Sequence, residues 1–154
     1  MEAEKLICTN RKATHDYFIE ERFEAGLVLL GSEVKSLRAG RANLRDSYAG
    51  IKDNELYLYN CHISPYAEAH QFNHEPLRKR KLLLHRKQIN KLLGKVTERG
   101  YTLVPLRLYF KGGKVKLELA LGKGKKLFDK RGAIKEREDR REMERAIKER
   151  TYRQ

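Results

Sequence analysis

Two apolar-alternating runs meeting at a pair of glycines leave few options for the fold. Residues 102–110 and 114–121 flank Gly112-Gly113, a two-residue loop in which both positions can take the left-handed angles of a tight hairpin. Val115, Leu117, Leu119 and Leu121 share one face, while Lys114, Lys116 and Glu118 point away from it. On the first arm Val104, Leu106 and Leu108 alternate with Leu103, Pro105 and Arg107. Pro105 has no N–H for a ladder, which predicts a strand entry or a sheet edge there. The glycines do not form a phosphate loop, because no helix follows and the rest of that motif is missing. A second hairpin is predicted over residues 47–52 and 55–60, turning at Asp53-Asn54, two side chains that tolerate positive φ. Its second strand sends Leu56 and Leu58 one way and Tyr57 and Tyr59 the other. Those tyrosines either cover the sheet or stack on nucleic-acid bases.

Residues 23–47 are the stretch around which the chain is organised. A buried strand is expected from Phe23 to Leu30, broken at Gly31-Ser32. Ser32 is expected to cap a short helix that ends at Gly40. Within it Val34 and Leu37, three apart, face the core, and Glu33, Lys35, Ser36 and Arg38 face solvent. Arg41, Asn43 and Arg45 follow as a basic strand entry.

Elsewhere the pattern is weaker. Residues 1–12 read as a flexible arm, and Thr14 as the cap of a short turn. Residues 61–81, punctuated by Ser64-Pro65 and Glu75-Pro76, read as a long surface connection. His70 and His74 have the i, i+4 spacing of a metal pair, yet the local sequence does not support a helix and a third ligand is missing. No metal or cofactor is expected. Leu82-Leu83-Leu84 leads into a helix striped by Ile89, Leu92, Leu93 and Val96. Residues 129–154 hold 10 Lys/Arg and 7 Asp/Glu, with Glu136→Arg140 and Glu144→Lys148 spaced for helix-stabilising pairs. Only Ile134, Met143 and Ile147 could anchor such a helix, so residues 123–154 read as a basic tail that is disordered alone and helical on a large partner. The folded domain is then 13–122.

Charge decides the class of partner. A net +14, from 35 Lys/Arg against 21 Asp/Glu, predicts attraction to a polyanion. No apolar run is long enough to span a bilayer, and the N-terminus lacks the basic start and apolar core of a signal peptide, so a cytoplasmic location without a membrane partner is expected. Cys8 and Cys61 are too far apart in sequence for a Cys-x-x-Cys site. No residue pair marks a general acid and base and no serine motif marks a nucleophile, so an enzyme is not expected. Phosphate contacts fit Arg11, Lys12, Lys35, Arg38, Arg41, Arg45 and Lys123–Lys126. Glu24 or Asn43 could meet a base edge or ribose, or complete a loop network. A ribosomal or translation factor, a small ribonuclease and a nonspecific chromosomal protein are the competing classes.

A resemblance narrows these. Asn10-Arg-Lys-Ala-Thr-His-Asp-Tyr-Phe-Ile-Glu-Glu, Glu24-Ala-Gly, Gly31-Ser-Glu-Val-Lys-Ser-Leu-Arg-Ala-Gly and Asn43-Leu-Arg-Asp-Ser-Tyr resemble the small protein B family of bacterial SsrA-binding proteins. His62-Ile-Ser-Pro-Tyr, Phe72-Asn-His-Glu-Pro-Leu-Arg-x-Arg-Lys-Leu-Leu-Leu and Gly122-Lys-Gly-Lys-Lys-Leu-Phe-Asp-Lys-Arg continue the match in order. The resemblance implies a mostly β fold: a small closed oligonucleotide-binding-like β-barrel with accessory helices and the basic C-terminal tail. It implies a monomer that binds the tRNA-like domain of transfer-messenger RNA and brings it to stalled ribosomes for trans-translation. Elongation factor Tu–GTP would join through the charged RNA. RNA contacts are then expected at Asn10, Arg11, Lys12, Glu24, Lys35, Arg38, Asn43, Arg45 and Lys116. Ribosome contacts, in the small-subunit decoding centre and the vacant mRNA channel, are expected at Lys123, Lys125, Lys126, Phe128, Asp129, Lys130, Arg131, Ile134, Lys135, Arg137, Arg140 and Arg145. Phe128 stands where some relatives carry a stacking histidine, so stacking is kept and the ring nitrogens are lost.

Overall fold

The computed structural model of the chain describes residues 3–98 and 100–125, and the structural statements below concern those residues. The elements run β1 (Glu4–Thr9), α1 (Arg11–Asp16), β2 (Tyr17–Leu27), α2 (Gly31–Arg38), β3 (Ala42–Asn43), β4 (Tyr48–Lys52) and β5 (Glu55–Tyr59). They continue with β6 (His62–Ile63), a 3-10 turn (Ala67–Phe72), β7 (Arg80–Leu83), α3 (Arg86–Val96), β8 (Tyr101–Lys111) and β9 (Lys114–Gly124). Seven strands form one antiparallel sheet in the order β1-β8-β4-β5-β7-β2-β9, and β8 also pairs with β9. The fold is mostly β-sheet with accessory helices.

Both expected hairpins form. Gly112 and Gly113 have φ of 58° and 74°, and Asp53 and Asn54 have 53° and 63°, the mirror-image turn that matches strand twist. Lys111 faces Lys114 and Lys52 faces Glu55 across the two turns. Leu117, Leu119, Leu121, Leu56, Leu58, Leu82, Leu103 and Leu108 supply the centre of the core. A smaller cluster of Ala13, Val104, Leu106 and Ala120 lies under α1.

Pro105 is not at an edge. It is buried within β8, where the β8–β9 register slips between Pro105 and Arg107; a bulge tolerates the missing donor. On the other side of β8, β1 pairs with residues 107–111 and β4 with Leu103. Asn10 bridges the gap, its N–H donating to Leu106 O (2.7 Å) and its side-chain amide to Pro105 O (2.9 Å).

Four sequence expectations change. Residues 4–9 are a strand rather than part of a flexible arm, because β8 supplies a ladder about 100 residues away. Cys8 is accordingly half-buried and packed on the core. β2 starts at Tyr17 and ends at Leu27, not Phe23 to Leu30, because β9 pairs with it from Gly124 to Lys116. That pairing carries β9 beyond the expected domain end at 122. The connection over 61–81 contains β6, a 3-10 turn and β7, with Cys61, Ile63, His74 and Arg80 buried.

The helix after Gly31 also differs from its reading. Leu30 is the N-cap; Ser32 lies in the first turn and donates its hydroxyl to His74 Nδ1 (2.8 Å), while His74 Nε2 donates to Ile63 O (2.8 Å). Both imidazole nitrogens are thus used, which removes His74 as a metal ligand. Glu33 is fully buried and Ser36 almost so, whereas Val34 is only half-buried. Glu33 goes inward because it has partners there. It accepts from Leu30 N–H (2.8 Å), Arg78 Nη2 (2.6 Å) and the fully buried Arg80 Nε (2.5 Å). Arg80 also donates to Cys61 O and Pro76 O, and Arg78 to Val28 O. One carboxylate therefore ties the end of β2, the start of α2 and the approach to β7 together. Burial pushes its pKa up, but Arg78, the Leu30 N–H and Arg80 outweigh that and hold it below the usual carboxylate range.

Candidate nucleic-acid interface

The nine residues expected to contact RNA fall into three groups on the fold. Glu24 and Lys116 lie on adjacent strands, β2 and β9, and border one open groove of about 700 Å³. Its floor is apolar, from Leu27, Leu29, Val34, Leu83 and Val115, and its rim carries His85, Gln88 and Lys114 besides Glu24 and Lys116. Leu83 is 48% exposed, an apolar surface beside cations.

Glu24 is held in place. Its Oε2 accepts from the Tyr109 hydroxyl at 2.7 Å and from Lys111 Nζ at 3.2 Å. Tyr109 is itself nearly buried and lies against the Arg107 guanidinium, 4.1 Å from the ring centroid. Arg107 in turn donates to Glu118 (2.6 Å) and Glu4 (3.0 Å). The Tyr109 hydroxyl bond, followed by Lys111 and Lys116, pulls the Glu24 carboxyl below its ordinary pKa against a desolvation that raises it. Burial and the Glu24 carboxylate push the Tyr109 phenol well up, so it stays a donor. The site thus presents an ionised, oriented acceptor among lysines, suited to a base N–H or a ribose hydroxyl.

A second group forms at the junction of α1 and β3. Asn10, Arg11, Lys12, Asn43 and Arg45 line one notch of about 180 Å³. Among the described residues, Arg11, Lys12 and Arg45 enter no ion pair, which leaves three cations free for phosphate. The two asparagines do a different job. Asn10 completes the β8 ladder as described, and Asn43 Oδ1 accepts from Arg45 N–H (2.7 Å), so both shape the notch.

Lys35 and Arg38 form the third group, on the exposed side of α2, with Lys35 5.4 Å from the Tyr66 ring centroid. Of the expected ribosome-facing residues, Lys123 and Lys125 belong to the body. Lys123 sits over Tyr101 (4.5 Å), and Lys125 sits over Phe18 (5.1 Å) and donates to Thr14 O (3.1 Å). Lys126, Phe128, Asp129, Lys130, Arg131, Ile134, Lys135, Arg137, Arg140 and Arg145 lie outside the described residues.

Sequence reasoning missed Leu83 at the groove, Tyr109 and Lys111 as the partners of Glu24, and Arg78 and Arg80 behind α2. Arg78 lies before β7, which begins at Arg80, so strand alternation gives no signal for this pair. Nothing local to Tyr109 pairs it with Glu24, 85 residues away. No group of three or more His, Cys, Asp or Glu side chains among the described residues is placed to hold a metal. Burial raises the thiols of Cys8 and Cys61 to about 11 and about 12, so both are weak nucleophiles.

Comparison with known proteins matches this geometry to one family. The family model described as SmpB protein covers residues 7–149. The SsrA-binding protein of Symbiobacterium thermophilum is 65% identical over 143 residues, covering 92% of this chain and 90% of the relative. That of Geobacter metallireducens is 60% identical over 148 residues, covering 96% and 97%. A solved chain described as "tmRNA-SmpB: a journey to the center of the bacterial ribosome" superposes with a TM-score of 0.65 at 51% identity, covering 77% of this chain and 83% of that one. With this match running almost end to end, over the strands that carry the groove and the notch, the chain belongs to the SmpB family of SsrA-binding proteins.

Proposed function

We propose that the chain is a non-enzymatic RNA-binding protein that holds the tRNA-like domain of transfer-messenger RNA and delivers it to stalled ribosomes for trans-translation. The observation that carries this reading is an oriented acceptor, Glu24, held by Tyr109 and Lys111 and set with Lys114 and Lys116 around one groove, beside a separate cationic notch. Cations give affinity for any RNA; a fixed acceptor over an apolar floor discriminates between surfaces of equal charge. The relatives' name and the tmRNA complex support the choice of RNA.

The finer parts of the reading rest on the same relationship. The extra β8–β9 pairing joins the last strand of the order to the second and leaves β1 outside the ring, which supports a closed, oligonucleotide-binding-like barrel. The body over 13–122, with β1 added to it, would bind RNA. Residues 123–154 would reach the decoding centre and the empty mRNA channel, with elongation factor Tu–GTP arriving through the charged RNA. The protein would act as a cytoplasmic monomer.

Equilibrium binding at physiological salt tests this. The tRNA-like domain is expected to bind more tightly than ordinary tRNA or duplex DNA and to remain uncleaved. Equal binding to all three would leave only a generic basic protein, and shortened RNA would indicate a ribonuclease.

Glu24 and Tyr109 give a sharper test of the groove. Losing a hydrogen bond to a charged group is worth about 1.5–3 kcal/mol, so Glu24→Ala is expected to weaken binding of the tRNA-like domain about tenfold or more. In Tyr109→Phe the largest influence holding the Glu24 pKa down is gone. Because the carboxylate is the binding form, affinity falls as pH drops through its pKa, and that fall should begin at higher pH in the variant. Superimposable pH profiles would rule out this role for Tyr109.

A further inference from the structure

The outer side of β4, β5 and β7 carries three tyrosines interleaved with cations. Leu56, Leu58 and Leu82 are fully buried, so the alternate residues of these strands turn away from the core. Tyr48 lies opposite Tyr59, Gly50 opposite Tyr57, and Tyr57 opposite Lys81. The Tyr48 and Tyr59 rings stack with centroids 5.1 Å apart and planes 17° from parallel, and Tyr57 lies tilted 6.3 Å from Tyr59. Lys79 Nζ is 4.5 Å from the Tyr57 centroid. A Cβ at Gly50 would lie in ordinary contact with the Tyr59 ring, at 3.4 Å. Tyr48 is 50% exposed.

Charge says what such a face is for. The acid at these positions, Glu55, is held by Arg86 at 2.9 Å and Lys81 at 3.5 Å. Lys52 and Lys79 add to those two cations, so the surround is positive. An apolar protein partner would have to desolvate those cations, whereas a nucleotide matches both features: a flat π-face for the rings and phosphates for the lysines. The row is also continuous with the notch, because Tyr48 borders a cleft of about 340 Å³ shared with Asn10 and Lys12. Asp16 and Asp46 line the same cleft, which disfavours a phosphate there and favours a ribose hydroxyl or a base amino group.

We propose that this face is a stacking platform for an unpaired RNA base, taken by Tyr57 and Tyr59, with Lys79 and Lys81 on the flanking phosphates. The proposal rests on the RNA-binding function above but adds a surface distinct from the Glu24 groove. It implies that the body engages single-stranded nucleotides while the groove is occupied.

The test uses the full chain, a labelled twelve-nucleotide oligouridylate, and the tRNA-like domain as a separate probe. Tyr57→Leu/Tyr59→Leu is expected to weaken oligouridylate binding about tenfold and to leave the tRNA-like domain within about twofold. Lys79→Ala/Lys81→Ala should reduce the slope of log affinity against log salt for the oligouridylate by about 1.4, at roughly 0.7 per single-strand phosphate. Unchanged oligouridylate affinity in the folded tyrosine variant overturns the platform. If that variant does not fold, an unchanged salt slope in the lysine variant overturns it instead. Glu24→Ala should give the opposite pattern, losing the tRNA-like domain and keeping the oligouridylate, so failure of the groove and failure of the platform are read separately.

Discussion

Glu33→Ala is expected to lower the unfolding free energy by about 3–5 kcal/mol, the usual cost of removing one partner from a buried ion pair. Arg80 is fully buried, and without Glu33 its charge would keep only the Cys61 and Pro76 carbonyls. Neutral acceptors do not offset the desolvation of a guanidinium. Arg78, with about a third of its side chain exposed, can turn to water, so Arg78→Ala should cost much less. For a domain of this size the Glu33 loss corresponds to a Tm fall of roughly 10–25 °C, read with urea midpoints at an unchanged m-value. The pH sign follows from the lowered pKa of Glu33. Its stabilisation is complete above the unfolded carboxylate pKa and is lost as pH falls through the folded value. The wild-type chain should therefore lose stability in acid more steeply than Glu33→Ala. A loss below about 1 kcal/mol, within the range of exposed pairs, would sink the assignment of Glu33 as the hub.

Ending the chain after Lys125 is expected to abolish tagging of nascent chains on a message without a stop codon, with affinity for the tRNA-like domain preserved within about twofold, or about 0.4 kcal/mol. The groove, the notch and the exposed side of α2 all lie before that point. So does the whole β2–β9 ladder, whose last pair is Tyr17 with Gly124, and the Lys125 bond to Thr14 O. A cut at 122 would remove two of those pairs and confuse a folding defect with a functional one. Residues 126–154 carry 11 Lys/Arg and 7 Asp/Glu, so the body keeps about +10 of the +14 that steers it toward RNA. Filter binding and a translation assay with a labelled tag separate the two activities. Parallel loss of both would mean that the tail contributes to RNA capture.

What was legible in the sequence is what neighbouring residues decide. Asp53-Asn54 and Gly112-Gly113 specify their turns locally, and the leucine alternation beside them specifies which face is inside. β1 was not legible, since Glu-Lys-Leu-Ile-Cys-Thr has no local pattern and becomes a strand only when β8 arrives. Glu33 was placed in solvent by helical spacing, which is sound for a helix whose acid has nothing to meet. Its partners Arg78 and Arg80 are 45 and 47 residues away. The site divides in the same way. Arg11, Lys12 and Arg45 were found as cations suited to phosphate and gather in one notch, but the phenol that orients Glu24 belongs to a distant strand.

The pairing of the first two strands with the last two has a kinetic side. β1 and β2 find their long ladders on β8 and β9, so the chain must be synthesised to Lys111 before β1 is fully paired and to Gly124 before β2 is. At about 5–20 residues per second, the interval between finishing β2 and reaching β9 is several seconds, during which two N-terminal strands have unpaired edges. Local hairpins such as β4–β5 can form meanwhile, but the sheet is completed late and its folding is dominated by distant contacts, the slow regime for small domains. A chain of this family cut short by a ribosome stalling on its own message before β9 would therefore emerge with no means of completing its sheet.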